Sequence, residues 1–134
     1  MNPACKLVLF ALISCAALIL SGCNGGRTVH AYTVTTGGDA SHGMKVIESY
    51  GCGSCHTIPG IQGARGLVGP PLFFMGRRTM IAGEIPNIPE NMVRWIKSPQ
   101  SVEPGTAMPT LGLTDQEARD AAAYLYTLQS TEEH

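Results

Sequence analysis

The sequence has little charge. Aspartate, glutamate, lysine and arginine together make up 14% of its 134 residues, with nine basic and ten acidic side chains. No segment gathers basic residues into the kind of patch that neutralises nucleic-acid phosphates, so we expect no nucleic-acid partner. Glycine and proline are frequent by comparison, with 16 and 9 residues, which favours a loop-rich fold over a bundle of long helices.

The sequence also lacks an apolar run long enough to cross a bilayer as a helix, which takes roughly 20 residues. Its longest run covers residues 7–20, follows Lys6 and leads into Leu-Ser-Gly-Cys, which ends at Cys23. A basic start, an apolar centre and small residues before a cleavage point are typical of a secretory signal. The tetrapeptide resembles a bacterial lipobox, whose cysteine receives lipid and becomes the mature N-terminus. We therefore expect residues 1–22 to be a lipoprotein signal peptide; an uncleaved signal anchor and an ordinary signal peptide are the alternatives.

Small polar residues without an apolar period follow Cys23, and they predict a flexible tether over residues 23–41. The folded domain is then expected over residues 42–134. A domain of this size buries only a small core and usually needs a metal, a cofactor or a disulfide to be firmly stable.

The predicted domain lacks the alternating pattern of β-strands and has three segments with helical spacing of apolar residues instead. These are residues 42–50, residues 89–97 and the segment after a capping box at residues 114–117. The predicted fold class is therefore all-α. The loop at residues 57–88 is long for so small a domain, which indicates that something fills the middle of the fold.

Cysteine is scarce in the predicted domain, where only Cys52 and Cys55 occur. They belong to the motif Cys-Gly-Ser-Cys-His, which ends at His56 and has three interpretations. A structural zinc site needs four ligands, often two such pairs, and there is no second pair. A thioredoxin-like dithiol would follow a strand in a βαβ pattern, which is also missing. Covalent haem attachment fits best, because the two thiols can add to the haem vinyl groups and His56 can become the proximal iron ligand.

An iron bound by His56 would take a second axial ligand, and the sequence offers several. Met108 lies in Pro-Gly-Thr-Ala-Met-Pro at residues 104–109, which has neither a helix nor a strand pattern. Two prolines and a glycine stiffen this loop and can hold a thioether at a defined point, so we expect Met108 to be the ligand. The other candidates are Met44, Met75, Met80, Met92, His30, His42 and His134.

Together these motifs resemble the class I c-type cytochromes over residues 43–128. Gly-Pro-Pro-Leu at residues 69–72 is similar to the Gly-Pro-x-Leu stretch of that family. The first and last helices of the family cross through small and aromatic residues. In this sequence the corresponding positions are Gly43, Ile47, Ala121, Tyr124 and Leu125.

The resemblance implies a small cytochrome c fold, with three main helices and long loops around one covalently bound haem c. It implies that the Pro70 carbonyl accepts a hydrogen bond from His56. It also implies that Arg78 and Thr106 contact a haem propionate, and that Trp95 packs beside the axial methionine. The lysine-rich rim of the mitochondrial proteins is missing, and the chain is closer to the cytochrome domain fused to subunit II of some haem-copper oxidases.

This resemblance implies a monohaem electron carrier and not an enzyme. With the lipobox, it predicts a bacterial envelope protein anchored by lipid on the periplasmic or outer side of the cytoplasmic membrane. The partners would be the membrane and redox proteins of the respiratory chain, such as a terminal oxidase, with no small-molecule substrate. Two alternatives remain: a haem enzyme or gas sensor, which requires a labile Met108, and a fixed subunit of a larger complex.

Lipid attachment at Cys23 can be tested directly. We expect the intact mass of the mature protein, purified from membranes, to match a chain that begins at Cys23 and carries lipid. Cys23→Ser removes the acceptor thiol, so this variant should be released from the membrane or stay unprocessed. Cys15→Ser, inside the predicted signal peptide, is the matched control and should leave the anchor intact. A mature chain that starts elsewhere with an unmodified terminus would contradict the lipoprotein interpretation.

Overall fold

The computed structural model describes residues 35–129, so the predicted signal peptide, Cys23 and the tether up to residue 34 lie outside it. Within this range the chain forms three α-helices, which we call α1 (Ala40–Ser49), α2 (Pro89–Lys97) and α3 (Asp115–Thr127). The connections contain 3-10 turns and a two-residue antiparallel pair, β1 (Met80–Ile81) with β2 (Ile85–Pro86). The predicted mostly helical fold with three helices is confirmed.

Local side-chain chemistry explains where each helix begins. The Asp39 carboxylate accepts a hydrogen bond from the His42 backbone N–H at 2.9 Å and so caps α1. Pro89 occupies the first turn of α2, where no backbone N–H is needed. At α3, Thr114 and Glu117 form the predicted capping box, with each side chain accepting a hydrogen bond from the other residue's backbone N–H. The backbone N–H and hydroxyl of Thr114 lower the pKa of the Glu117 carboxyl from its ordinary value.

The closest contact in the fold is the crossing of α1 and α3. Gly43 is buried in α1, and a Cβ at this position would clash with the backbone carbonyl of Asp120 in α3. Ala118 and Ala122 of α3 are fully buried. Because these residues have small side chains or none, the two backbones can approach closely and pack into one core.

Residues 36–39, which belong to the predicted tether over residues 23–41, pack against α3. The Thr36 hydroxyl donates to the Arg119 carbonyl at 3.0 Å, and the Arg119 guanidinium donates to the Thr36 carbonyl at 3.3 Å. The Asp39 backbone N–H donates to Asp120 Oδ1 at 2.8 Å. The folded part therefore begins before residue 42. Polar hydrogen bonds hold residues 36–39 against α3, and such bonds require no apolar period in the sequence.

Asp120 is the one charged residue buried among the described residues, with 3% of its surface exposed. Its carboxylate accepts hydrogen bonds from the Asp39 N–H and from Gln116, and it lies 2.6 Å from His42 Nδ1. Burial alone would raise the pKa of Asp120, but these hydrogen bonds outweigh it and hold the pKa below the ordinary value. The ionised carboxylate therefore joins the N-terminal segment, α1 and α3.

The long connection between α1 and α2 contains more structure than the sequence pattern indicated. It forms the 3-10 turn Met75–Arg77 and the β1–β2 hairpin. The Asn87 amide donates to the carbonyls of Met75 and Arg78, both at 2.8 Å, and accepts from the Tyr126 hydroxyl of α3 at 2.8 Å. One polar side chain thus connects this segment to α3. Across residues 35–129, no helix is both long and apolar enough to cross a membrane.

The Asp120 cluster predicts a pH-dependent stability. The folded-state pKa of Asp120 is depressed. Its carboxylate therefore contributes fully to the free energy of unfolding above the unfolded-state pKa of about 3.9, and this contribution is lost as the pH falls through the folded-state pKa. Asp120→Asn should lower the free energy of unfolding at neutral pH by about 2 kcal/mol, with the difference shrinking in acid. Denaturant titrations of both proteins between neutral pH and pH ~2 measure this difference.

Glu84→Gln is the matched control, since Glu84 is exposed and its carboxylate makes no hydrogen bond among the described residues. This control should leave the free energy of unfolding unchanged at every pH. The role assigned to the Asp120 carboxylate would be contradicted if the wild-type protein and the Asp120→Asn variant lost stability in parallel down to the lowest pH.

Candidate haem-binding site

Within residues 35–129, a large cavity of about 390 Å³ opens between α1, α2, α3 and the two long connections. Its walls are predominantly apolar, with side chains such as Val46, Ile47, Ile81 and Leu125. The volume falls within the roughly 300–1,000 Å³ of small-molecule and cofactor sites in proteins. All eight residues predicted to bind the cofactor line it: Cys52, Cys55, His56, Pro70, Arg78, Trp95, Thr106 and Met108.

A sharp turn after α1 brings the two thiols and the imidazole to this cavity. Gly51 takes a left-handed conformation with φ 68°, which ends the helix, and the 3-10 turn Cys52–Ser54 follows directly. The backbone N–H groups of Cys55 and His56 both donate to the Cys52 carbonyl, at 3.2 and 3.0 Å. The two thiols are not joined in a disulfide, and burial raises the pKa of the Cys52 thiol. The compact turn therefore presents two thiols and a ring nitrogen to one space.

The loop after the motif orients the His56 ring. His56 Nδ1 lies 2.8 Å from the Pro70 carbonyl, to which it donates in the tautomer with its proton on Nδ1. That tautomer leaves Nε2 free to bind a metal, in the arrangement usual for ligating histidines. Gly69 lies against the ring, since a Cβ there would be 2.6 Å from Nδ1 and 2.9 Å from Nε2.

Arg78 lines the cavity and also holds the loop that carries Pro70. Its Nη2 donates to the carbonyls of Pro71 and Phe73 at 2.6 and 3.0 Å, and its Nε donates to Phe73 at 3.2 Å. Contact with a haem propionate stays a prediction from the resemblance. The observed bonds give Arg78 a structural task that the sequence pattern did not indicate.

Four methionines line the cavity, and their surroundings differ. Met92 and Met75 are 1% and 5% exposed and pack in the core, whereas Met80 in β1 is 41% exposed. Met108 is half-buried on the irregular loop between α2 and α3, where its backbone N–H lies 3.4 Å from the Thr106 hydroxyl. Half-buried Trp95 packs against the core in the same cavity wall.

The remaining ligand candidates are elsewhere. Met44 and His42 of α1 do not line the cavity, and His42 is paired with Asp120. His30 and His134 lie outside the described residues. In the part of the chain that the structure describes, no three His, Cys, Asp or Glu side chains come together as a metal cluster.

The residues that face the cavity fit a covalently bound haem. Two thiols three positions apart, an imidazole and a thioether are the groups that attach haem c and ligate its iron. The apolar walls suit a flat, largely hydrocarbon macrocycle, because such a group removes apolar surface from water when it is bound. The cavity also accounts for the size of the connection between α1 and α2, part of which forms its wall.

The family model for cytochrome c matches residues 40–129. The chain belongs to the cytochrome c family. Cytochrome c oxidase subunit 2 of Alkalihalophilus pseudofirmus is 34% identical over 94 residues, which cover 69% of this chain and 27% of that protein. The same subunit of Bacillus subtilis is 32% identical over 95 residues, covering 68% of this chain and 27% of that protein.

The cytochrome thus spans only about a quarter of the length of these two relatives, 27% in each case. It is an electron-carrier domain of the cytochrome c type, distantly similar to the cytochrome c domain of an oxidase subunit. The family implies a covalent haem c, and Cys52 and Cys55 fit its attachment motif.

The packing of Gly69 against His56 predicts a sensitive position. Gly69→Ala should push the imidazole away from the Pro70 carbonyl and lower the free energy of unfolding by about 2 kcal/mol, as overpacking does. It should also reduce the fraction of chains that carry low-spin haem in absorption spectra. Gly63→Ala is the control, because a Cβ there meets open space. Its only expected cost is the strain of an alanine in the left-handed conformation, about 1 kcal/mol. Equal haem spectra in both variants would contradict the role of Gly69.

Proposed function

We propose that this cytochrome is a lipid-anchored monohaem carrier that passes single electrons between respiratory partners, toward a terminal oxidase. The observation that supports this most is the shared cavity, which is lined by both motif thiols, His56 and Met108. These are the groups needed to attach one haem c and to ligate both faces of its iron. With both His56 and Met108 bound, the iron would have no position left for a substrate, which suits a carrier.

In this proposal Cys52 and Cys55 would hold the haem covalently through their thiol sulfurs. His56 Nε2 and the Met108 sulfur would hold the iron, and the bound haem would supply a one-electron ferric–ferrous couple. The Pro70 carbonyl holds the His56 ring in one tautomer and orientation. The protein itself performs no bond chemistry on a substrate.

The protein residues would set the reduction potential. A methionine ligand raises the potential of a haem relative to two histidines, which suits donation to an oxidase. Burial in apolar walls disfavours the additional charge of the ferric state, and Arg78 and Thr106 would neutralise or bind a propionate. Trp95 would pack beside the Met108 ligand and limit the access of water.

The partners follow from the relatives and from the predicted anchor. Two curated relatives are cytochrome c oxidase subunits, which supports a redox partner in the respiratory chain. A lipid on Cys23 would keep the domain at the outer side of the cytoplasmic membrane and raise its effective concentration near such partners. No nucleic acid and no small-molecule substrate belongs to this function.

Met108 separates a carrier from a haem enzyme or gas sensor. The purified wild-type protein should keep its haem after denaturing acid–acetone extraction. It should also show the weak far-red charge-transfer band of a ferric iron–methionine bond, and bind carbon monoxide poorly. Met108→Ala should remove the band, lower the potential and open the ferrous iron to carbon monoxide. Absorption spectra and a redox titration measure these changes.

Met80→Ala is the control, since Met80 also lines the cavity but lies in β1 and is 41% exposed. This variant should keep the band and the low affinity for carbon monoxide. A wild-type protein without the band that binds carbon monoxide stoichiometrically would overturn the carrier assignment, because its sixth position would be open to a substrate or a signal gas.

A further inference from the structure

The loop that carries Met108 has little backbone support. Among the backbone–backbone hydrogen bonds of residues 35–129, none involves residues 107–113. The nearest such bond joins the Thr106 N–H to the Glu103 carbonyl, at 3.1 Å. At the other end of the loop, Leu113 is buried in the core with 7% exposure. Between these two points, side chains must hold the loop in place.

Gln100 provides that support with one amide group. Its Nε2 donates to the Met108 carbonyl at 2.6 Å, and its Oε1 accepts from the Thr110 hydroxyl at 2.7 Å. The two bonds hold the backbone of Met108 and the side chain two residues further on. Only a side chain that carries both a donor and an acceptor can form this bridge.

The backbone that carries Gln100 is itself well supported. Gln100 belongs to the 3-10 turn Pro99–Ser101, which follows α2 directly. Pro99 is among the most deeply buried side chains, and its carbonyl accepts from the N–H groups of Val102 and Glu103 at 3.0 and 2.9 Å. An amide on this turn can therefore hold the loop against the body of the domain.

We infer that Gln100 is a positioning residue for the axial ligand: its amide holds residues 108–110 so that the Met108 thioether stays at the cavity. This inference rests on the proposed function, in which Met108 binds the iron. Gln100 does not line the cavity, so its effect on the iron is transmitted through the loop backbone. Loss of the amide should let the thioether leave the iron more often without changing the other haem-binding residues.

Displacement of Met108 by free imidazole tests the inference on the ferric holoprotein. Imidazole competes for the sixth position, and loss of the far-red band reports its binding. Gln100→Leu should lower the imidazole concentration at half-displacement by about fivefold, within the range that one hydrogen bond accounts for. Thr110→Val, which removes one arm of the bridge, should lower it by about twofold. If Gln100→Leu yields no holoprotein, the comparison of Thr110→Val with wild type decides the question.

The matched control is Gln62→Leu, the same exchange on an exposed residue without a side-chain hydrogen bond among those described. It should titrate like the wild type. Thermal unfolding adds a second readout, because saturating imidazole already releases Met108. The difference in stability between Gln100→Leu and the wild type should then disappear, because the amide no longer has an iron–methionine bond to support. A residue that only stabilises the fold would lower the midpoint equally with and without imidazole, and would leave the imidazole titration unchanged.

The outcomes separate the two proposals. In one outcome, the wild type shows the band and the Gln100→Leu and Thr110→Val variants titrate like the wild type. This result overturns the role of Gln100 but not the ligation of iron by Met108. A wild type that lacks the band overturns both. A lower displacement concentration in the two variants, with Gln62→Leu unchanged, supports the inference.

Discussion

The crossing of α1 and α3 is the constraint on which the rest of the fold depends. Gly43 brings the two backbones so close that no Cβ fits against the Asp120 carbonyl, and Ala118 and Ala122 are fully buried in the same helix. Because α1 ends at the turn that bears Cys52 and His56, the crossing sets where the motif faces the cavity. The position of the turn with Cys52 and His56 therefore follows from backbone packing between the first and the last described helix.

Local chemistry explains why the helices could be predicted from the sequence. The bounds of α2 agree with the prediction, and the capping box of α3 is present, because Pro89, Thr114 and Glu117 act within one turn of chain. The start of α1 was less predictable. It begins at Ala40, directly after its cap Asp39, and the segment that contains this cap is held by bonds to Arg119 and Asp120, about 80 positions away in the sequence. Propensity and spacing within a short window contain no information on such partners.

The residues of the candidate site likewise fall into those that the sequence predicts and those that only the structure reveals. The sequence motif indicates Cys52, Cys55 and His56, since their chemistry depends on adjacency along the chain. The loop with two prolines and a glycine indicates Met108, and the resemblance adds Pro70. The sequence does not indicate which hydrogen bonds the polar side chains around the site make. The Arg78 guanidinium holds Pro71 and Phe73, Asn87 bridges to Tyr126, and Gln100 bridges Met108 and Thr110. An exposed Gln or Asn has no distinctive pattern, so only the three-dimensional arrangement reveals its task.

The bonds of residues 36–39 to α3 also determine how the domain would respond to mechanical force. A pull applied through the N-terminal segment enters the domain at Thr36 and is carried by the bonds of Thr36 and Asp39 to Arg119 and Asp120. The load is then shared between α1 and α3, the best-packed pair of elements. The turn with Cys52 and His56 lies beyond that junction, at the opposite end of α1. A pull on the N-terminal segment therefore meets the bonds of Thr36 and Asp39 to α3 before it reaches the turn with Cys52 and His56.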